Sequence, residues 1–247
     1  MATYRLTVGY DGTDFHGWAP QPGLRTVAGE LAAAVGVPPG DLTVAGRTDA
    51  GVHAAGNVVS LRAERLLPAA AINRRLPRDL AVLAADEAAD GFDARADARA
   101  RSYVYRLNTA PAPDPLRARY ELHHPRPLDL EALAACAAAL VETHDFTAFT
   151  PTETEHVFFE RTVLAAAWRR EGDRVEFAIT AHAFLRHMVR VLVGTMLERP
   201  DPQWMSDLLG GRPRSAAGRT APAHGLTLTA VDYDRAPPKA SQGGRRR

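Results

Sequence analysis

The chain has 247 residues, 46% of them hydrophobic and 24% charged, with a formal net charge of +1. That length holds one or two compact domains with a sizeable core, and no apolar run approaches the roughly 20 residues that span a bilayer. The near-neutral charge names no partner, and a single cysteine, Cys136, leaves no disulfide framework or cysteine metal cluster and suits a cytoplasmic protein.

The first residues, MATYRLTVGY, alternate polar and apolar at once, unlike a signal peptide. Tyr4, Leu6, Val8 and Tyr10 share one face, which predicts a strand over 4–10. A helix over 26–35 follows, with Thr26 as its cap and Glu30 in its first turn. A short strand near 42–45, a strand over 54–64, a helix over 68–76 opening on Pro68, and a strand over 80–88 complete the first third.

The order then repeats. A strand is expected over 101–109, and Leu130, Leu133, Ala134, Ala137, Leu140 and Val141 recur at helical spacing. Segments 161–170 and 173–181 flank Glu171 and Gly172 as a hairpin. Leu185, Met188, Val189, Leu192, Val193 and Met196 form the stripe of a helix over 184–198, and a strand over 225–233 closes the series.

The expected fold is therefore α+β. Two β-α-β-β-α-β halves of ferredoxin-like order, 1–98 and 99–235, join into one mixed, mainly antiparallel sheet with helices packed on it and a central cleft. Residues 236–247, with Arg245, Arg246 and Arg247 at the end, read as a basic, disordered tail.

Of the 30 basic residues only Lys239 is lysine. Arginine suits phosphate and base contacts; a high-GC coding bias accounts for the same excess. The chain has no P-loop, no GxGxxG, no HExxH and no nucleophile elbow. Its nine histidines do not cluster as metal ligands would, and DGTD at 11–14 lacks the rest of a calcium loop. Chemistry, if present, falls to carboxylates, arginines and tyrosines with no metal or cofactor.

One stretch stands out: AGRTDAGVHA, residues 45–54. Asp49 two residues from Arg47 would be held ionised by the neighbouring cation, and an ionised carboxylate can act at a sugar carbon. Gly46 and Gly51 would let a substrate approach the backbone. A simple Asx-turn with a surface arginine explains the same residues.

The string resembles the catalytic motif of the tRNA pseudouridine synthase A (TruA) family. Similarity extends in order through YDGTDFHGW, INRRLPRDLAV, FDARADARARSYVY, HDFTAF, FLRHMVRVLVGTMLE and APAHGLTLTAVDY, from near residue 4 to near residue 234. The resemblance implies isomerisation of uridine to pseudouridine at positions 38, 39 and 40 of the tRNA anticodon arm, without a cofactor, by a homodimer.

By match to the motif, the resemblance makes Asp49 the catalytic aspartate and nucleophile, and Arg190 its ion-pair partner from the second half. It makes Tyr103 the active-site tyrosine that stacks on the flipped uracil. Arg47, Arg95 and Arg101 are expected at phosphate or substrate, whereas Phe146 and Phe149 are expected to pack. The sequence departs from the family at Ala19, where a polar residue is usual, and at Asp93, where histidine is usual. Two other readings stay open: a stand-alone RNA-binding module displaying aromatics on its sheet, and a carboxylate hydrolase of sugars, which needs a second acid.

Overall fold

The computed structural model describes residues 1–154 and 156–233. They form a ten-stranded sheet: β1 (Ala2–Tyr10), β2 (Thr43–Val44), β3 (His53–Ala63), β4 (Leu80–Glu87), β5 (Ala100–Asn108), β6 (Leu122–His123), β7 (Glu142–Asp145), β8 (Glu160–Glu171), β9 (Arg174–Ala181) and β10 (Leu226–Asp232). Five α-helices accompany it: α1 (Val27–Val35), α2 (Ala69–Asn73), α3 (Leu130–Ala139), α4 (Met188–Glu198) and α5 (Pro202–Leu208).

The period-two pattern builds the strands as expected. Leu6, Val8 and Tyr10 of β1 face the core, as do Tyr103, Tyr105 and Leu107 of β5 and Val175, Phe177 and Ile179 of β9. Thr26 caps α1 by accepting from the Gly29 amide, and Gly36, at φ +82°, closes it in the left-handed conformation. Asp129 caps α3 in the same way through the Ala132 amide.

The main path of the sheet is β4-β1-β3-β10-β5-β9-β8-β7, with β2 beside β3 and β6 beside β5. The order β4-β1-β3-β2 and the order β10-β5-β9-β8 are the same four-strand arrangement, met twice. They join where β10 runs parallel to β3 at only two register positions, Thr227 with His53 and Leu228 with Ala54. Parallel strands start at the same end of a sheet. The segments leading into β3 and into β10 therefore emerge side by side, although they are far apart in sequence.

One hydrophobic cluster runs through both parts, from Leu6 and Leu31 to Phe177 and Met196. Phe146 and Phe149 are fully buried in it. Helix α4 is apolar nearly all round, with Met188, Val189, Val191, Leu192, Val193 and Met196 buried, so it needs cover on more than one side. The segment 217–221 supplies it: the Gly218 amide donates to the Thr195 hydroxyl at 3.0 Å, and the Ala221 amide to the Arg190 carbonyl at 3.0 Å.

Two differences from the sequence reading matter. The helix expected over 184–198 begins at Met188, because His187 sits at φ +61° and breaks the helical path. Leu185 is nonetheless buried, which is why it joined the apolar stripe. Strands β6 and β7 and helix α5 were not expected. The tail expected over 236–247 lies outside the described residues, among which no helix is long and apolar enough to cross a membrane.

Candidate active site

The loop between β2 and β3 carries Asp49, and its backbone is fastened at nearly every residue. The Ala45 amide donates to the Val58 carbonyl at 2.9 Å, and the Ala45 carbonyl accepts from Arg101 Nε at 3.0 Å. Asn57 Nδ2 donates to the Gly46 carbonyl at 2.8 Å. The Trp18 amide donates to the Thr48 carbonyl at 3.0 Å, and the Gly51 amide to the Phe15 carbonyl at 3.3 Å. Thr48 Oγ1 lies 2.8 Å from the Tyr10 hydroxyl, which also accepts from Asn57. Burial pushes Tyr10 up to about 12, against the pull of those two hydrogen bonds, so it stays a neutral donor.

Gly51 serves this packing. A Cβ at Gly46 would stand 3.4 Å from the Tyr103 hydroxyl and 3.5 Å from Leu228. Gly51 is needed for its φ of +78°, with Ala223 pressed against it. Gly12 belongs to the same argument, because a methyl there would overlap the Val52 carbonyl.

Just beyond the loop, His53 is 3% exposed. Its Nδ1 accepts from the Gly12 amide at 3.0 Å and its Nε2 reaches the His224 carbonyl at 3.1 Å. The ring is therefore the neutral tautomer with its proton on Nε2, in keeping with burial, which lowers its pKa. His53 ties the turn after β1, the Asp49 loop and the approach to β10 to one another. Sequence reasoning passed over it.

Asp49 is left partly open, its side chain 26% exposed. Arg190 of α4 brings Nη1 to 3.1 Å from Asp49 Oδ2 and Nε to 2.9 Å from the Ala221 carbonyl. Arg190 thus gives the carboxylate a single charged contact, while its Nε is spent on the segment that covers α4. His187 Nε2 stands 3.5 Å from the same Oδ2.

Tyr103 lies beneath the loop, 8% exposed, its ring meeting Phe184 edge-on at 5.0 Å. Burial raises its phenol pKa strongly, with the charges of Tyr10 and Asp49 adding to the effect, so the hydroxyl keeps its proton. Tyr105, two residues on, is fully buried and donates to the Pro222 carbonyl at 2.8 Å.

A carboxylate held by one guanidinium from a distant helix, over a tyrosine floor, is the arrangement the resemblance implies. A protein of Halalkalibacterium halodurans named tRNA pseudouridine synthase A is 40% identical over 238 residues, covering 92% of this chain and 90% of its own. The chain belongs to the tRNA pseudouridine synthase A family. Proteins of the same name from Frankia casuarinae (43% identity over 98% of this chain and 93% of theirs) and Bacillus subtilis (38% over 93% and 98%) agree. A family model described as tRNA pseudouridine synthase matches residues 136–234. A looser likeness, TM-score 0.41 at 12% identity over 91% of this chain and 48% of the other, links it to a chain of the solved structure "Crystal Structure of a Cbf5-Nop10-Gar1 Complex" and is too distant to bear on the site.

As a tRNA pseudouridine synthase the protein is an isomerase that modifies tRNA, and its arginines fall into distinct places. Arg47 is exposed beside Asp49, and Arg95 is exposed on the turn before β5. Arg101 is buried and donates to four backbone carbonyls: Ala45, Ala98, His182 and Arg95, at 2.7–3.0 Å. That geometry makes it a brace for the Asp49 loop and leaves little of it for phosphate. Asp93, the departure from the family, has a local task. Its Oδ1 accepts from the Arg95 and Ala96 amides at 2.8 and 2.7 Å and shapes the turn.

Proposed function

We propose that this tRNA pseudouridine synthase acts on the anticodon arm, isomerising uridines 38, 39 and 40, with Asp49 as nucleophile. The observation that carries the reading is the Asp49–Arg190 contact at 3.1 Å, partly exposed at the seam between two sheet segments. The reaction breaks the N1–C1′ bond and forms C5–C1′. The C5 proton leaves and N1 gains one, so atoms and oxidation state balance. A carboxylate can drive this by adding to C1′ or to C6 or by stabilising positive charge at the sugar.

A uridine inside a stem must leave the stack to reach Asp49, at a cost of a few kcal/mol. Exposed Arg47, next to Asp49, is placed to hold the displaced phosphate. Tyr103 supplies the flat floor for the uracil. Arg95 adds a phosphate contact at the rim. The resemblance further supports a cytoplasmic homodimer that grips one tRNA with both subunits, and sedimentation of the purified protein measures its mass directly.

The experiment is Asp49→Asn, which keeps size and polarity and removes the charge. Pseudouridine in the anticodon arm should vanish while tRNA binding stays within about threefold. Pseudouridine formed by the variant at the wild-type rate overturns the assignment.

A further inference from the structure

The contacts of Asp49 are one-sided. Both Arg190 Nη1 and His187 Nε2 approach Oδ2, while Oδ1 accepts no hydrogen bond among the described residues. Arg190 touches the carboxylate through Nη1 alone, its Nε being bound to the Ala221 carbonyl, so the carboxylate can swivel about that single contact. A second fixed donor on Oδ2 would set the plane of the carboxylate and leave Oδ1 for the substrate.

His187 stands where that donor would be, its Nε2 3.5 Å from Oδ2, at the outer edge of hydrogen-bond distance. It holds a left-handed backbone at φ +61°, ψ −2°, a conformation uncommon for non-glycine residues, though less so for histidine than for most. The side chain makes no helix-capping hydrogen bond, although it occupies the cap position of α4. What the unusual backbone does achieve is to turn the ring toward Asp49, where it is 25% exposed. The Arg186 carbonyl just before it accepts from the Thr150 hydroxyl at 3.1 Å, and the Arg186 amide donates to His156 Nε2 at 3.3 Å, so the turn is braced from outside.

We propose that His187 is a positioning residue for Asp49, its neutral Nε2–H holding Oδ2 so that Oδ1 is presented to the flipped nucleotide. The proposal rests on the reading of Asp49 as nucleophile. The charged groups around the ring are Asp49, Arg190, Arg186 and Arg214, with His156 behind Arg186. Burial lowers the pKa of His187. The Asp49 charge opposes that and the three guanidiniums reinforce it, so the ring is neutral at pH 7. A neutral imidazole facing a carboxylate puts its proton on the facing nitrogen. Protonation in acid adds a second full positive charge beside Asp49 and makes the carboxylate a poorer nucleophile.

The test compares three variants in single-turnover assays on a tRNA substrate from pH 5 to 8. His187→Gly takes the left-handed backbone without strain and removes the ring. It should lower kcat about tenfold with KM within about twofold. His187→Gln has no titrating group and carries an amide N–H out to the position of the imidazole Nε2. It should restore kcat to within about threefold of wild type. Wild type should lose activity in acid as His187 takes up a proton, and that fall should be absent from both. Equal kcat in His187→Gly and wild type, or an acid limb unchanged in His187→Gln, overturns the proposal. Asp49→Asn run alongside separates the failures: activity in that variant sinks the reading of Asp49 itself, whereas its inactivity with an indifferent His187 sinks only the present inference.

Discussion

Arg190 and Asp49 stand 141 positions apart and meet at 3.1 Å, while the Nε of the same guanidinium holds Ala221 at 2.9 Å. One side chain thus fixes the carboxylate and the segment covering α4 together. Lysine cannot do both, since an ammonium on a flexible stem is a point charge without the planar fork. Arg190→Lys should therefore fail to rescue the enzyme, with kcat down about 10²-fold, the range seen when one preorganised charged donor is removed. The melting temperature should move by only a few degrees. Activity of the lysine variant near wild type would mean that charge alone suffices and the Ala221 contact is idle.

Gly194 lies one turn along α4 from Arg190, and a methyl group there would overlap the Arg219 carbonyl. The obstacle is backbone, so it cannot swing aside as a side chain would. Gly194→Ala should push segment 217–221 off the helix, at about 1–3 kcal/mol as for other overpacked contacts. The helix propensity of alanine returns about 1 kcal/mol of that. Because Ala221 rides on the segment, kcat should fall along with stability. Chemical denaturation and turnover on the same preparation check both, and a variant as stable and active as wild type would contradict the packing.

Arg95 and Arg101 were equal candidates for substrate contact by sequence, and the structure separates them. Arg101 is 8% exposed and satisfies four carbonyls, one of them in the Asp49 loop. Arg101→Met should cost about 2–4 kcal/mol, because buried carbonyls lose their partners. Arg95→Ala should leave the melting temperature within about one or two degrees, as surface substitutions do, and weaken tRNA binding with a reduced salt slope. The opposite pattern would exchange their roles.

That contrast marks how far the sequence reaches. Strand alternation and the capping residues Thr26 and Asp129 act locally, so the order of elements could be read directly. Asp201 followed by Pro202 also signals the start of α5: the Asp201 side chain caps it by accepting from the Gln203 and Trp204 amides, and Pro202 takes the first helical position; that signal went unused. β7, with the sequence ETHD, carries no alternation because it is a short strand at the sheet edge, and no pattern could reveal it. His53 and His187 are of another kind. What makes them informative is their partners, Gly12 and His224 for one and Asp49 for the other, and these come from distant segments brought together only at the β3–β10 seam. Nor does any local rule foretell a left-handed histidine inside an apolar stripe that reads as continuous helix.

Acid stability should report on two carboxylates that frame the first strands. Asp11 is held down from 3.8 to about 2. Burial opposes this, but the Thr13 hydroxyl and amide and the Tyr120 hydroxyl outweigh it. Asp79 is likewise lowered, chiefly by Arg25, whose two Nη atoms each stand 2.8 Å from one of its oxygens. A carboxylate whose folded pKa is depressed contributes stability above its unfolded value, and that contribution drains away as pH falls toward the folded one. The stability these groups supply should thus be complete near pH 5 and fall steadily between about pH 4 and pH 2. In Asp11→Asn the titrating group is gone, so the variant should be less stable at pH 7 and its acid slope shallower, with the two curves converging near pH 2. Urea unfolding at a series of pH values measures the slope. Parallel curves for variant and wild type would show that Asp11 does not gain its low pKa on folding.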